Sequence, residues 1–264
     1  MTRIGERFGR LDRPAFIAYL VAGHPDTAGF PAAARAVIDG GADVLEIGMP
    51  FSDPVADGPT IQHAHTRALE ADMTVDRYFA AVRGIREISE IPLVLMVYCN
   101  TVHRRGVEQF YREAREAGAD AVLVVDMPPE EGERALAAAR ENRLDQIFLV
   151  APTTSEDRLG LIARSGSGFL YLASLLGVTG ARDRLSGEAS RLIARVRPHT
   201  GLPLAVGFGI SRPEHARALA DAGADGIIVG SAIVNLVETH AEDREGMARE
   251  IRGYVREMRE ALGP

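Results

Sequence analysis

The sequence predicts an α/β fold, a single (β/α)8 TIM barrel with a short N-terminal capping helix, and three observations carry that prediction. Short β-branched runs recur eight times along 264 residues, and Ala/Arg/Glu-rich stretches with helical spacing separate them. One phrase, Gly-Ala-Asp, recurs three times where a helix gives way to a strand. Alternating strand and helix implies a parallel sheet. The runs are apolar throughout rather than every second residue, as in strands covered on both faces. A closed barrel satisfies eight of these better than an open sheet, which has two edges to protect. No stretch shifts composition enough to mark a linker, so one barrel domain over 1–264 is expected.

The elements follow in order. A short helix from Ile4 to Leu11 is expected to cap the bottom of the barrel. The strand runs are Phe16–Val21, Val44–Ile47, Leu93–Val97, Ala121–Val125, Ile147–Val150, Phe169–Leu172, Leu204–Val206 and Gly226–Val229. Helical spacing is clear over Gly106–Ala117, Glu130–Glu141, Glu188–Val196 and Pro213–Ala222. The repeated phrase stands at Gly41-Ala42-Asp43, Gly118-Ala119-Asp120 and Gly223-Ala224-Asp225. Its glycine suits the position after a helix end, where the backbone turns left-handed. The phrase therefore reads as architecture, not chemistry.

Composition narrows the function. With 46% hydrophobic and 25% charged residues the chain is globular rather than disordered. A net charge of -7 opposes general attraction to nucleic acid or anionic lipid, and no apolar run approaches the roughly 18 residues of a membrane span. The expected ligand is small. Cys99, the one cysteine, can form neither an intramolecular disulfide nor a cysteine-based zinc cluster. The opening residues lack the apolar core of a signal peptide, so the cytoplasm is expected. All 30 basic residues are arginine. Without lysine there is no Schiff base, no internal pyridoxal phosphate aldimine and no Walker A lysine.

Barrel active sites lie at the C-terminal ends of the strands. Strand 7 runs into Gly207-Phe208-Gly209-Ile210-Ser211-Arg212-Pro213-Glu214, where Ser211 and Glu214 have the spacing of a capping box; strand 8 ends in Gly230-Ser231. The two loops together suit a phosphate held by backbone N–H groups and a helix N-terminus, although each is also compatible with a plain tight turn. The dinucleotide fingerprint fails, because Arg212 stands where its third glycine belongs. Strand 2 carries Glu46 between Leu45 and Ile47, a carboxylate on one pleat face that is either paired or catalytic. Its loop adds Asp53 and Asp57 among prolines and glycine. Two carboxylates facing a phosphate site suit proton transfer on a phosphorylated sugar-like chain. The stretch Leu175–Gly187 holds three glycines, as a hinged lid or a mobile surface loop would. His63 and His65, two apart on a helix, diverge and are rejected as a metal pair. Tyr98-Cys99-Asn100 and Asp126-Met127-Pro128 lie on the same rim, open to substrate or partner contact.

The stretch Leu45–Gln62, with Pro-Phe-Ser-Asp-Pro and Ala-Asp-Gly-Pro-Thr-Ile-Gln, together with Gly177-Val178-Thr179-Gly180, Gly207-Phe208-Gly209-Ile210-Ser211 and Gly230-Ser231-Ala232-Ile233-Val234, resembles the tryptophan synthase alpha subunit family over essentially the whole chain. The resemblance implies retro-aldol cleavage of indole-3-glycerol phosphate to indole and D-glyceraldehyde 3-phosphate, with no metal and no organic cofactor. It also implies transfer of indole to a pyridoxal phosphate-dependent beta subunit in an α2β2 heterotetramer. By resemblance, Glu46 is the general acid/base and Asp57 holds the indole N–H. Tyr171 lines the site near Glu46, and Thr179 closes the lid onto Asp57. Gly180, Gly209, Gly230 and Ser231 offer amides to the phosphate, and Tyr19, Ile61, Met96 and Phe208 form the indole slot. Asp53, Pro54, Asn100 and Asp126 fall on the beta-subunit face. Three positions depart from the enterobacterial pattern: Leu175 in place of an arginine, His24 in place of an aspartate and Tyr19 in place of a phenylalanine. A stand-alone indole-releasing lyase, or an activating subunit with weak catalysis of its own, shares these features.

Overall fold

A computed structural model of the chain describes residues 2–173, 182–207 and 209–263, with side chains omitted over 182–186. Eight parallel strands close into a barrel in sequence order: β1 Ala15–Val21, β2 Val44–Gly48, β3 Leu93–Val97, β4 Ala121–Val124, β5 Asp145–Val150, β6 Leu170–Ala173, β7 Leu204–Gly207 and β8 Gly226–Val229. Both faces of the strands are covered, which is why their sequences are apolar throughout. Ile17, Val44, Val94, Leu123, Ile147, Phe169, Ala205 and Ile228 fill the interior. Phe16, Leu45, Ile47, Leu95 and Val122 belong to the layer packed with the surrounding helices. The helix Arg3–Arg10, capped by Thr2 accepting from Gly5 N–H, closes the bottom as expected. Its Ile4 is wholly buried, and Phe8 packs on Phe169 with ring centroids 5.8 Å apart.

The three Gly-Ala-Asp phrases do one job in three places. Each glycine follows a helix C-cap with φ between +91° and +94°. Gly41 donates to Ile38 and Ala42 to Val37, and the same pair of bonds recurs at Gly118/Ala119 and Gly223/Ala224. This is the Schellman arrangement, which satisfies the last helical carbonyls. The aspartate then clasps the preceding strand. Asp43 donates its N–H to Phe16 O and takes the Phe16 N–H on Oδ2 at 2.8 Å; Asp120 does so with Leu93, and Asp225 with Leu204. An arginine neutralises each: Arg13 in bidentate fashion for Asp43, Arg3 and Arg86 for Asp120, Arg197 for Asp225.

Three local expectations change. β5 begins two residues early, because Asp145 and Gln146 are polar yet buried; Gln146 Oε1 accepts from Tyr111 Oη at 2.5 Å. The Ser211/Glu214 capping box does not form. With Pro213 at the first helical position the N-cap is Arg212, and Ser211 N–H instead points at His215 Nδ1. The second half of the expected lid is helical from Arg182, in the helix Arg182–Val196; its first half lies outside the described residues.

Candidate active site

Glu46 sits on the interior face of β2, flanked on that face by Val44 and Gly48. It is fully buried, and neither carboxylate oxygen has a hydrogen-bond partner among the described residues. Burial, and to a lesser degree the charge of Asp57, pushes its carboxyl up to about 8. Desolvation penalises the ionised form, so the group keeps its proton near neutrality.

Asp57 is held in the loop between β2 and the helix Pro59–Glu70. Its N–H donates to Pro54 O, and its carbonyl accepts from Gln62 Nε2 at 2.8 Å. The Tyr98 hydroxyl donates to Asp57 Oδ2 at 2.7 Å while accepting from Ala56 N–H at 3.2 Å. The Tyr98 ring stacks on Phe51, centroids 4.7 Å apart. His65 Nδ1 accepts from Phe51 N–H, which assigns the ring proton to Nε2, 3.4 Å from Asp57 Oδ2. The rejection of His63 and His65 as a pair stands on their contacts: His63 turns instead toward Glu238 at 3.5 Å. His65 and the hydroxyl of Tyr98 are nonetheless site residues that the sequence left unassigned. The signal for Tyr98 was its place immediately beyond β3, on the catalytic rim.

Tyr19 on β1 and Tyr171 on β6 lean over glycines on neighbouring strands. A side chain at Gly48 would collide with the Tyr19 hydroxyl, and one at Gly207 with the Tyr171 hydroxyl. Both tyrosines neighbour Glu46 and Asp57 electrostatically, and burial raises their phenols well above the ordinary value. Met96 is the register partner of Gly48 and so faces the same interior space. Ile61 and Tyr19 both lie within van der Waals reach of a Cβ built on Gly230. Gly230 is the N-cap of the helix Ser231–Thr239, whose first intrahelical bond is Val234 N–H to Gly230 O. The N–H groups of Ser231, Ala232 and Ile233 are left for a ligand, as at any helix start. Gly209 has φ +70°, in the left-handed region that favours glycine. Thr179, Gly180 and Phe208, like Leu175, lie outside the described residues.

On the rim, Asp53, Asn100 and Asp126 are exposed, whereas Pro54 is buried and its neighbour Val55 is 83% exposed. Asp126 Oδ1 accepts from Cys99 N–H at 2.6 Å, at the start of the helix Cys99–Arg105. His24 is buried and bonds Glu238 at 2.8 Å, which also pairs with Arg67 at 2.7 Å. Burial lowers the His24 imidazole. Among the described residues no cluster of three or more His, Cys, Asp or Glu could hold a metal, and no helix is long and apolar enough to cross a membrane.

A closed parallel barrel with a buried carboxyl at a strand end, unpartnered among the described residues, is the architecture of a (β/α)8 enzyme with its site at the C-terminal ends of the strands. The model of the family described as tryptophan synthase alpha chain matches residues 8–263. The chain belongs to that family. It is 52% identical to the tryptophan synthase alpha chain of Methanoregula boonei over 261 residues, covering 99% of this chain and 98% of that one. Identity to the Methanothermobacter thermautotrophicus alpha chain is 48%, over 98% and 96%. A tryptophan synthase structure from Mycobacterium tuberculosis superposes with a TM-score of 0.90 at 39% identity, covering 99% of this chain and 98% of that one. A chain of the tryptophan synthase α2β2 complex from Pyrococcus furiosus superposes at 0.87 and 39%, over 93% and 98%.

Proposed function

We propose that this chain cleaves indole-3-glycerol phosphate to indole and D-glyceraldehyde 3-phosphate, with Glu46 moving both protons. The observation that carries this reading is the Glu46 carboxyl, fully buried, unpartnered and pushed up to about 8. Protonated Glu46 gives its proton to indole C3, and the ring becomes an indoleninium cation. The resulting carboxylate takes the proton of the glycerol hydroxyl next to C3. The carbon–carbon bond then breaks, its electron pair returns to the ring, and the hydroxyl carbon leaves as the aldehyde. Glu46 ends protonated, as it began. The protonated indole is the electron sink that a lysine imine supplies in other aldol cleavages, in keeping with a chain that has no lysine. Asp57 accepts from the indole N–H and stabilises the positive charge as it develops, oriented by Tyr98. The amides at Gly180, Gly209, Gly230 and Ser231 hold the phosphate, and Thr179 closes onto Asp57. Tyr19, Ile61, Met96 and Phe208 enclose the ring, and Tyr171 lines the site beside Glu46.

The indole passes to a pyridoxal phosphate-dependent beta subunit, in an α2β2 assembly of the kind named for the Pyrococcus furiosus protein. The rim bearing Asp53, Pro54, Asn100 and Asp126 is the docking face, and exposed Val55 gives it an apolar centre. The protein works in the cytoplasm. The test is indole release from indole-3-glycerol phosphate, with and without a beta subunit, for the wild type, Glu46→Gln and Asp57→Asn. Activity that rises with the partner and collapses in both variants is expected. Turnover indifferent to the partner would make the chain a stand-alone lyase, and no turnover in any mixture would overturn the reading.

A further inference from the structure

Four buried polar atoms at the top of the barrel lack a hydrogen-bond partner among the described residues: both carboxylate oxygens of Glu46, the hydroxyl of Tyr19, and Nε2 of His65, which faces Asp57 at 3.4 Å. The strand register brings the first three side by side. Tyr19 on β1 stands opposite Glu46 on β2. Gly48 follows Glu46 on the same face, one layer nearer the top. A side chain there would run into the Tyr19 hydroxyl, so that hydroxyl fills the room residue 48 leaves beside Glu46. The near end of the Tyr19 side chain packs by Gly230. A phenylalanine would fill the same slot without burying an O–H, and a buried O–H with no partner is unfavourable.

Two other hydroxyls near Glu46 are engaged. Tyr78, from the helix Val75–Ile88, donates to Ile47 O at 2.8 Å, and Tyr98 donates to Asp57; the Tyr171 hydroxyl lies over Gly207 on β7. From β3, the register partner of Glu46 is apolar Val94. Asp57 is the charged group that acts on Glu46, and its sign disfavours a second carboxylate. Ionised Glu46 therefore needs a donor, and Tyr19 has one to give.

We propose that Tyr19 is a positioning residue for the proton transfer, donating its O–H to the Glu46 carboxylate once that group has given up its proton. The inference rests on the reading of Glu46 as acid and base. It makes the orphaned hydroxyl a partner in waiting, satisfied only in the ionised state that turnover creates, and it favours formation of that state.

The experiment compares Tyr19→Phe with the wild-type full chain. The Glu46 carboxyl is followed by 13C NMR in protein labelled at glutamate, its signal assigned by its loss in Glu46→Gln. Removing the donor is expected to move the Glu46 titration up by about one pH unit. With indole-3-glycerol phosphate as substrate, kcat is expected to fall about ten-fold with KM nearly unchanged, and the alkaline limb to move up with the carboxyl. A titration that stays in place while the wild type turns over normally would overturn the Tyr19 inference alone. A titration that moves in a protein that never releases indole would sustain the Tyr19–Glu46 contact and overturn the proposed function instead.

Discussion

The two ends of the barrel bury carboxylates in opposite ways. At the bottom, Asp120 is 3% exposed, yet it accepts from Leu93 N–H and two arginines. At the top, Glu46 is 0% exposed and accepts from nothing among the described residues. The first arrangement offsets desolvation with hydrogen bonds and opposite charge, and the carboxylate holds two strands in register. The second leaves desolvation unopposed, so the group holds its proton until a reaction takes it. Burial alone therefore does not separate the structural carboxylate from the one proposed to move protons; the two differ in whether the surroundings supply donors.

That contrast can be broken at either end. The largest effect is expected at the top: Glu46→Gln, nearly isosteric, should lower kcat about 10³–10⁴-fold, measured as indole release. Next, Asp120→Ala should destabilise the fold by about 3–5 kcal/mol in urea titrations, because it strands two arginines and the Leu93 N–H. A third measurement turns on pH. Glu46 holds its proton up to about 8 in the folded chain, against an ordinary value of 4.5. Folding binds that proton more tightly, so the stabilisation is complete below 4.5 and lost as pH rises through 8. Relative to wild type, Glu46→Gln should therefore gain stability between pH 5 and pH 9, by roughly 4 kcal/mol. The same ionisation should make wild-type kcat/KM decline above about pH 8. Tyr98→Phe should cost about ten-fold in kcat/KM by freeing Asp57, with little change in stability. The smallest effect is expected at Asp225→Ala, about 1–2 kcal/mol, since its ion pair with Arg197 is 39–40% exposed and screened by solvent and the main loss is the acceptor of the Leu204 N–H.

Residue pattern predicted the barrel well where the pattern was periodic. Seven strands fall within a residue of the apolar runs that marked them, and β5 does not, because its first two residues are polar groups whose burial is tolerated through contacts such as Tyr111 to Gln146. Glu46 was legible for the converse reason: a carboxylate on an interior strand face has no apolar explanation. Asp57 was legible from its motif, but its supports were not. Tyr98 reaches it across 41 residues of chain, and His65 reaches it only because the loop folds back onto its own helix. The Ser211/Glu214 spacing misled because Pro213 fixes the first helical position and moves the cap to Arg212. The repeated phrase read correctly as architecture, but through its glycine alone; that its aspartate bears the bonds joining adjacent strands depends on a contact 21–27 residues away.

The clasps also bear on the order in which the chain can assemble. Each joins neighbours only 27, 27 or 21 residues apart, so three strand pairs can lock their bottom ends early, at small loop-closure entropy. Asp225 also closes the ring, because its carbonyl accepts the N–H of Ala15 and so ties the last strand to the first. Closure thus depends on a residue already fixed by its own local pair, and in pulsed hydrogen exchange the amides of Phe16, Leu93 and Leu204 should gain protection before that of Ala15.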